Sequence, residues 1–278
     1  MGLRIATNVQ ALNAQKNLYG LSNDLSTTMA RLSSGHRINR SADDAAGLAI
    51  SENLKASIRG FKQANRNAND GISLVQVAEG GLNEISSMLV RLRELAIQTS
   101  SDTIGDRERG LVNVEYQQLK EEIERVAQTT QFNGASLLNG TGGVLDFQVG
   151  VYNDPINDRI SFDASQGNAT LQSMMLQDLS VVTKEQSQQS LAFVDDAMNF
   201  VGAARASLGA LQNRLQTTSQ VLATSEENFA AANSRIRDTD IAEESTSLAK
   251  NNILMNAATA VLAQANTHQQ LALKLLGS

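Results

Sequence analysis

Apolar residues return at alternating three- and four-residue steps near both ends of this chain. The first series is Ala11, Ala14, Leu18, Leu21, Leu25, Thr28 and Leu32. The second is Leu248, Asn251, Met255, Ala258, Leu262, Ala265, Gln269, Ala272 and Leu276. A 3-4 rhythm lays one narrow stripe along a helix, and a narrow stripe needs another helix to cover it. Both stripes are thin, rich in Ala and interrupted by Thr, Asn or Gln, so each helix alone buries too little to hold its length in water. The two ends therefore read as halves of one structure that orders mainly when many copies meet.

Between them the pattern predicts three more helices. The first helix runs from about Ala6 to Leu32 and stops at Ser33, Ser34 and Gly35, with Gly35 as C-cap. After a loop from His36 to Arg40, Ser41 and Asp44 have the spacing of a capping box, with Asp in place of Glu, and Asp43 and Asp44 suit the positive end of a helix dipole. The second helix runs from Asp43 to about Thr99, loosened at Gly60, Gly71 or Gly80–Gly81, a length of roughly 85 Å. It carries the most regular heptad, Val75, Ala78, Leu82, Ile85, Leu89, Leu92 and Ala96. A third helix spans Asp106 to Gln128 with Leu111, Val114, Leu119, Ile123 and Val126 on one side, and Thr129 to Gly134 ends it with Asn-Gly chemistry.

The rhythm then changes to period two at Leu145, Phe147, Val149 and Val151, and again at Ile160 and Phe162, with a turn-rich cluster from Asn153 to Asp158 between them. This is a hairpin pattern. Asn139–Gly140 and Gly142–Gly143 mark the loop before it. The fourth helix, about Lys184 to Ala232, holds a seam of Leu191, Val194, Met198 and Val201. A three-residue step to Ala204 follows, then Leu208, Leu211, Leu215, Thr218 and Leu222. Such a stammer overwinds a supercoil locally without ending the helix. The fifth helix begins near Asp240. The expected fold is mainly α: long helices in a rod-like coiled-coil bundle formed by both chain ends, with a small β-hairpin in the middle.

Composition sharpens this reading. Hydrophobic residues make up 41% of the chain but aromatics only 4%, and Pro155 is the one proline. A core of Ala, Leu, Ile and Val without helix-breaking proline suits long slim helices. There is no cysteine, hence no disulfide or thiolate chemistry. The net charge of −6 is mixed along the chain, with no clustered basic face for nucleic acid. The first residues lack the apolar core of a cleaved signal, Ala6 breaks the myristoylation pattern, and no stretch approaches the ~18 apolar residues of a membrane span. We expect no membrane insertion and no use of the ordinary secretory route.

Catalytic chemistry is not written in the sequence. His36 and His268 have no partners at metal or triad spacing, and there is neither a phosphate-binding loop nor a GxGxxG after a strand. The oxygens of Asn153, Asp154, Asn157 and Asp158 fit a turn better than a calcium loop. The Asn-x-Ser/Thr triplets at Asn39, Asn139 and Asn168 arise often by chance. We expect no catalytic residues, no metal and no cofactor.

Several rare blocks stand in order along the chain: Ile5 to Asn13 (IATNVQALN), Arg31 to Gly47 (RLSSGHRINRSADDAAG), Phe61 to Gly71 (FKQANRNANDG), Arg91 to Gln98 (RLRELAIQ), Gln131 to Gly134 (QFNG), Ser234 to Glu244 (SRIRDTDIAEE) and Val261 to Asn266 (VLAQAN). Through these blocks the chain resembles bacterial flagellin over nearly its full length. Gln269 departs from the pattern, since many flagellins have Pro there. The resemblance implies an inner-core terminal coiled coil from residues 1–40 plus 236–278. It implies an outer-core helical rod from 41–235 with a hairpin near 144–163, and no large variable outer domain. The implied activity is structural, in a subunit of the extracellular flagellar filament used for swimming, with a hook–filament junction protein as the alternative. The implied partners are copies of itself, flagellar cap and hook-junction proteins, and an export chaperone on the C-terminal region during type III export.

The resemblance also implies a surface for a host Toll-like receptor at Arg91, Leu95 and Glu115, although Leu119 stands where strongly recognised members carry a basic residue. The competing reading is that Leu92, Leu95 and Ala96 pack the helices while Arg91 and Arg93 are solvated. For self-assembly the apolar stripes nominate Val9, Leu12, Leu18, Leu21, Leu25, Leu32, Leu248, Met255, Val261, Leu262 and Leu276, unfavourable in a monomer and buried between protomers.

Overall fold

The computed structural model describes residues 7–276, without the side chains of Gln166 and of residues 268–278. Five helices account for most of the chain: α1 (Val9–Ser34), α2 (Ala45–Thr99), α3 (Asp106–Thr129), α4 (Lys184–Arg237) and α5 (Ile241–Leu276). Four short strands lie between α3 and α4: β1 (Gln131–Phe132), β2 (Ala135–Ser136), β3 (Val144–Gln148) and β4 (Arg159–Asp163). The chain divides into two compact units, one of Met1–Ala56 with Asn228–Ser278 and one of Ser57–Glu227.

In the terminal unit, α1 starts under Asn8, whose side chain accepts from the Ala11 amide at 3.0 Å. The proposed start at Ala6 lies outside the described residues. Ser33 and Ser34 remain helical, and Gly35 closes the helix at φ 72° with its N–H on the Arg31 carbonyl. Helix α1 packs on α5. Ala14, Thr28 and Ala265 are buried, and Ala11, Leu18, Leu21, Leu25, Leu32, Leu248, Asn251, Met255, Ala258 and Leu262 are half-buried. Every described member of the two stripes is thus drawn at least partly out of solvent within a single chain.

The start of α2 corrects the expected capping box. Asp44 alone makes the cap bond, its Oδ1 accepting from the Gly47 amide at 2.9 Å, and the helix begins at Ala45 rather than Asp43. Asp43 instead accepts the amides of Asn39 and Arg40, both at 3.0 Å, which folds the loop and holds its carboxyl below the usual carboxylate range. Ser41 takes no part. The loop after α1 pairs with the loop after α4: the Arg37 amide donates to the Arg237 carbonyl at 2.7 Å and the Thr239 amide to the Gly35 carbonyl at 3.0 Å. Helix α4 runs on to Arg237, past the expected Ala232, and Asp240 caps α5 by accepting from the Ala242 amide at 2.8 Å.

In the second unit, the heptad of α2 is the core. Val75, Ala78, Leu82, Ile85, Leu89, Leu92 and Ala96 are all fully buried, and α2 is unbroken at its glycines. The α4 seam faces inward too, with Val194, Val201, Leu208, Leu211 and Leu215 buried and the helix continuous through the three-residue step at Ala204. Helix α3 keeps part of its expected face, with Ile123 buried and Leu119 and Val126 packed against the core, but the face is rotated at its start. Leu111 and Val114 are exposed, and the buried set is Arg109, Tyr116, Lys120, Ile123 and Ala127. Two charged residues can lie inside because main-chain oxygens receive them. Arg109 donates to the Thr99 and Ser101 carbonyls, and Lys120 Nζ to the carbonyls of Gln177 and Leu179, both at 2.8 Å.

Strands β3 and β4 form the expected hairpin, with Leu145 opposite Phe162 and Phe147 opposite Ile160. β3 ends at Gln148, before Val149 and Val151, because the amides of Val149 and Gly150 both turn to the Asp158 carbonyl. Between the hairpin strands, Asp154 Oδ1 accepts from the Ile156 amide and Asp158 from the Asp154 amide, the bonding of a turn. A second hairpin, β1–β2, was not expected. Its two-residue turn, Asn133–Gly134, has φ of 48° and 82°, the double positive φ of a type I′ turn.

Candidate assembly surface

The residues nominated for self-assembly fall into two groups on the terminal unit. Leu18, Leu21, Leu25, Leu32, Leu248, Met255 and Leu262 lie half-buried on the α1–α5 stripes. Val9, Leu12 and Val261 lie off the stripes and are exposed, Leu12 by 56% and Val261 by 59%. Leu276 ends α5, and its side chain is outside the described residues. The exposed group is larger than the sequence reading found. Tyr19 is 66% exposed and Ile253 68%, and Met29 and Leu254 are also open to solvent. Leu12 and Tyr19 are one heptad apart, as are Leu254 and Val261, so each pair shares one flank of its helix. Apolar residues at flanking heptad positions were the signal, and a reading confined to the 3-4 stripe passes over them.

Polar contacts hold the terminal unit in register around this surface. Asn8 Nδ2 donates to the Ala265 carbonyl at 3.1 Å, which ties the start of α1 to the far part of α5. At the other end, His36 Nδ1 lies 3.2 Å from Asp238 Oδ1, and Ser51 Oγ donates to Asn233 Oδ1 at 2.8 Å. Arg237 donates to Glu52 Oε1 at 2.6 Å, and this bond holds the Glu52 carboxyl below its ordinary range. Ile38, 2% exposed, plugs the loop between α1 and α2, against Gly47, where a Cβ would come within 2.9 Å of Ile38 Cδ1.

On the second unit, Arg91 forks between two carboxylates, with Nη1 donating to Glu94 at 2.9 Å and Nη2 to Glu115 at 2.8 Å. These bonds raise the guanidinium above its ordinary range. Arg93 Nε donates to Asp195 at 2.6 Å. Leu95, nominated with Arg91 and Glu115 as a receptor contact, is 1% exposed and packs in the core with Leu92 and Ala96. Its side chain is not on that surface, because the α2 heptad turns it inward.

The surface can do one thing chemically: bury apolar side chains against another helix. Among the described residues no three His, Asp or Glu stand together as metal ligands, and no helix is long and apolar enough to cross a membrane. His36 is paired with Asp238 at the loop crossing, and the side chain of His268 is outside the described residues.

Residues 5–142 match the bacterial flagellin N-terminal helical region, and residues 191–276 match the bacterial flagellin C-terminal helical region. Flagellin of Halalkalibacterium halodurans is 44% identical, over 97% of this chain and 98% of that protein. The flagellar filament core protein flaB2 of Brachyspira hyodysenteriae is 42% identical over 98% and 99%, and flagellin of Bacillus subtilis 40% over 99% and 100%. The crystal structure of Bacillus cereus flagellin covers 60% of this chain and 94% of its own, at 28% identity and a TM-score of 0.51. A hook-associated protein structure from Vibrio parahaemolyticus superposes with a TM-score of 0.58 at 16% identity and shares the fold. Two terminal helical regions in the family's order, with end-to-end kinship to flagellins, place this chain in the bacterial flagellin family.

Proposed function

We infer that the chain is a structural subunit that self-assembles into the extracellular bacterial flagellar filament and so serves swimming. The observation that carries this is the state of the terminal helices: their stripes close on each other while apolar flanks at Leu12, Tyr19, Leu254 and Val261 stay in water. A patch of that kind is unfavourable on a monomer and favourable between copies. Contacts between unlike patches that do not close into a ring extend as a helical fibre. The role is structural rather than enzymatic, in keeping with the family. Similarity to flagellins over nearly the whole length of both chains favours the filament subunit over a hook–filament junction protein.

Within that reading, residues 1–40 plus 236–278 form the inner core of the filament and 41–235 the outer core, with no large variable outer domain. The partners are other copies, the cap and hook-junction proteins, and an export chaperone on the C-terminal region. A host Toll-like receptor would meet Arg91 and Glu115, whose charges stand exposed on the second unit.

Seeding purified chain with sheared filament fragments tests the assignment. Long fibres should grow from the intact chain. A chain lacking residues 250–278 should add nothing to the seeds while keeping the helices of the second unit. Normal filaments from the truncated chain would refute the terminal assignment.

A further inference from the structure

The chain holds two Asn-Gly steps, Asn133–Gly134 and Asn139–Gly140, and the fold treats them differently. Asn133 sits at the tip of the β1–β2 hairpin, exposed, with its side chain unbonded among the described residues. Gly134 follows it outside the strand ladder at φ 82°, and no Cβ built there would touch another group. The strands on either side are two residues long, and the Leu137 amide on the Thr130 carbonyl at 3.1 Å closes the base of the hairpin, which leaves the two tip residues outside the ladder. Asn139 is held. Its Oδ1 accepts from the Thr141 amide at 3.0 Å and from Thr141 Oγ1 at 2.7 Å. The next residue, Gly140, packs so closely on Asn168 that a Cβ there would come within 2.6 Å of Asn168 Nδ2.

We propose that Asn133 is a site of spontaneous, water-dependent deamidation in the folded protein, and that Asn139 is protected by the fold. The Gly134 amide gives its proton to solvent base, and its nitrogen attacks Asn133 Cγ. A new N–Cγ bond forms, Nδ2 takes a proton from water, the Cγ–Nδ2 bond breaks, and ammonia leaves. Water then opens the five-membered imide. Opening at Cγ leaves an ordinary aspartate in place of Asn133. Opening at the main-chain carbonyl gives an isoaspartyl link, in which the backbone runs through the former side chain. Both outcomes add a negative charge at the hairpin tip. The isoaspartyl link also adds one carbon to the chain between β1 and β2, so the two-residue turn can no longer keep Phe132 opposite Ala135. The modification therefore acts as a slow clock on that corner of the second unit.

The test is a time course on the intact, folded chain at mildly alkaline pH, followed by peptide mapping at both steps and methyltransferase labelling of isoaspartate. Helix content is monitored throughout. The two Thr141 bonds restrain the Asn139 amide, so conversion at Asn133 should run about tenfold faster than at Asn139. Thr141→Val removes one of those bonds and should raise conversion at Asn139, leaving the Asn133 rate unchanged. Equal rates at the two steps in the wild-type chain would overturn the proposal. So would no conversion at Asn133 over a period in which a free Gln-Phe-Asn-Gly-Ala-Ser peptide converts fully.

Discussion

The Nε of Arg109, in the first turn of α3, donates to the carbonyl oxygen of Thr99, the last residue of α2, at 2.9 Å. A helix ends with carbonyls that have no partner inside it, and here the next helix supplies the donor. The same guanidinium reaches the Ser101 carbonyl at 3.0 Å and Asp106 at 2.7 Å, so one buried side chain fixes the α2–α3 corner. Replacing Arg109 with Met keeps the stem and removes the donors. Two carbonyls then lose partners, and the second unit should be destabilised by about 2–3 kcal/mol in urea unfolding followed by circular dichroism. An unchanged midpoint would mean that water caps the corner equally well.

Glycine substitutions should separate by what lies against them. A Cβ at Gly142 would overlap the main-chain oxygen of Ser136 and lie 3.0 Å from the Ala164 Cβ. Neither neighbour is the loose end of a long side chain, so Gly142→Ala should cost about 1–3 kcal/mol. Gly80 lies within α2, and a methyl group there would have nothing within 4 Å, so Gly80→Ala should stabilise by about 0.5–1 kcal/mol through helix propensity. Thermal unfolding of the two variants should move in opposite directions.

What the amino-acid pattern disclosed was whatever depends on local rhythm. The heptad from Val75 to Ala96 and the Gly35 cap are read from neighbours a turn or so away, and both stand in the structure. On α3 the pattern disclosed Ile123, but the rest of the buried face was hidden because it includes Arg109 and Lys120, whose burial depends on carbonyls at residues 99, 101, 177 and 179. No rhythm within α3 announces those acceptors. The β1–β2 hairpin was hidden by its brevity, since two residues cannot display an alternation. On the candidate surface the stripes were legible, but Tyr19, Met29, Ile253 and Leu254 stand off the 3-4 rhythm and are recognised only once the stripes are seen to face each other.

The two groups of apolar residues on the terminal helices should respond differently to mutation. Leu21 is half-buried on the α1–α5 seam, so Leu21→Ala should loosen the helix pair itself and lower its thermal stability by about 1–2 kcal/mol. Tyr19 and Val261 are exposed in the single chain, so Tyr19→Ser and Val261→Ser should leave monomer unfolding within about 0.5 kcal/mol of wild type. The same two changes should raise the protein concentration needed for seeded fibre growth. Sedimentation of polymer against monomer measures that concentration. If Tyr19→Ser and Val261→Ser polymerise as readily as wild type, the flanks are not the contact between copies.

Alkaline pH should unfold the second unit partly through one tyrosine. Tyr116 is fully buried, its hydroxyl has no hydrogen-bond partner, and burial raises its phenol above the ordinary value of 10.0. An acid whose pKa is raised by folding contributes stability below its unfolded pKa. Above 10.0 the unfolded chain releases a proton that the folded chain retains, so stability is lost as pH rises from there toward the folded pKa. Lys120 acts in the opposite sense, because burial lowers its ammonium below 10.5 and its contribution rises with pH up to about that value. Tyr116→Phe should cost at most about 1 kcal/mol at neutral pH and flatten the alkaline loss. A tyrosinate absorbance titration should show the late-ionising phenol in the folded wild type and lose it in Tyr116→Phe. An alkaline unfolding profile unchanged by Tyr116→Phe would contradict the assignment.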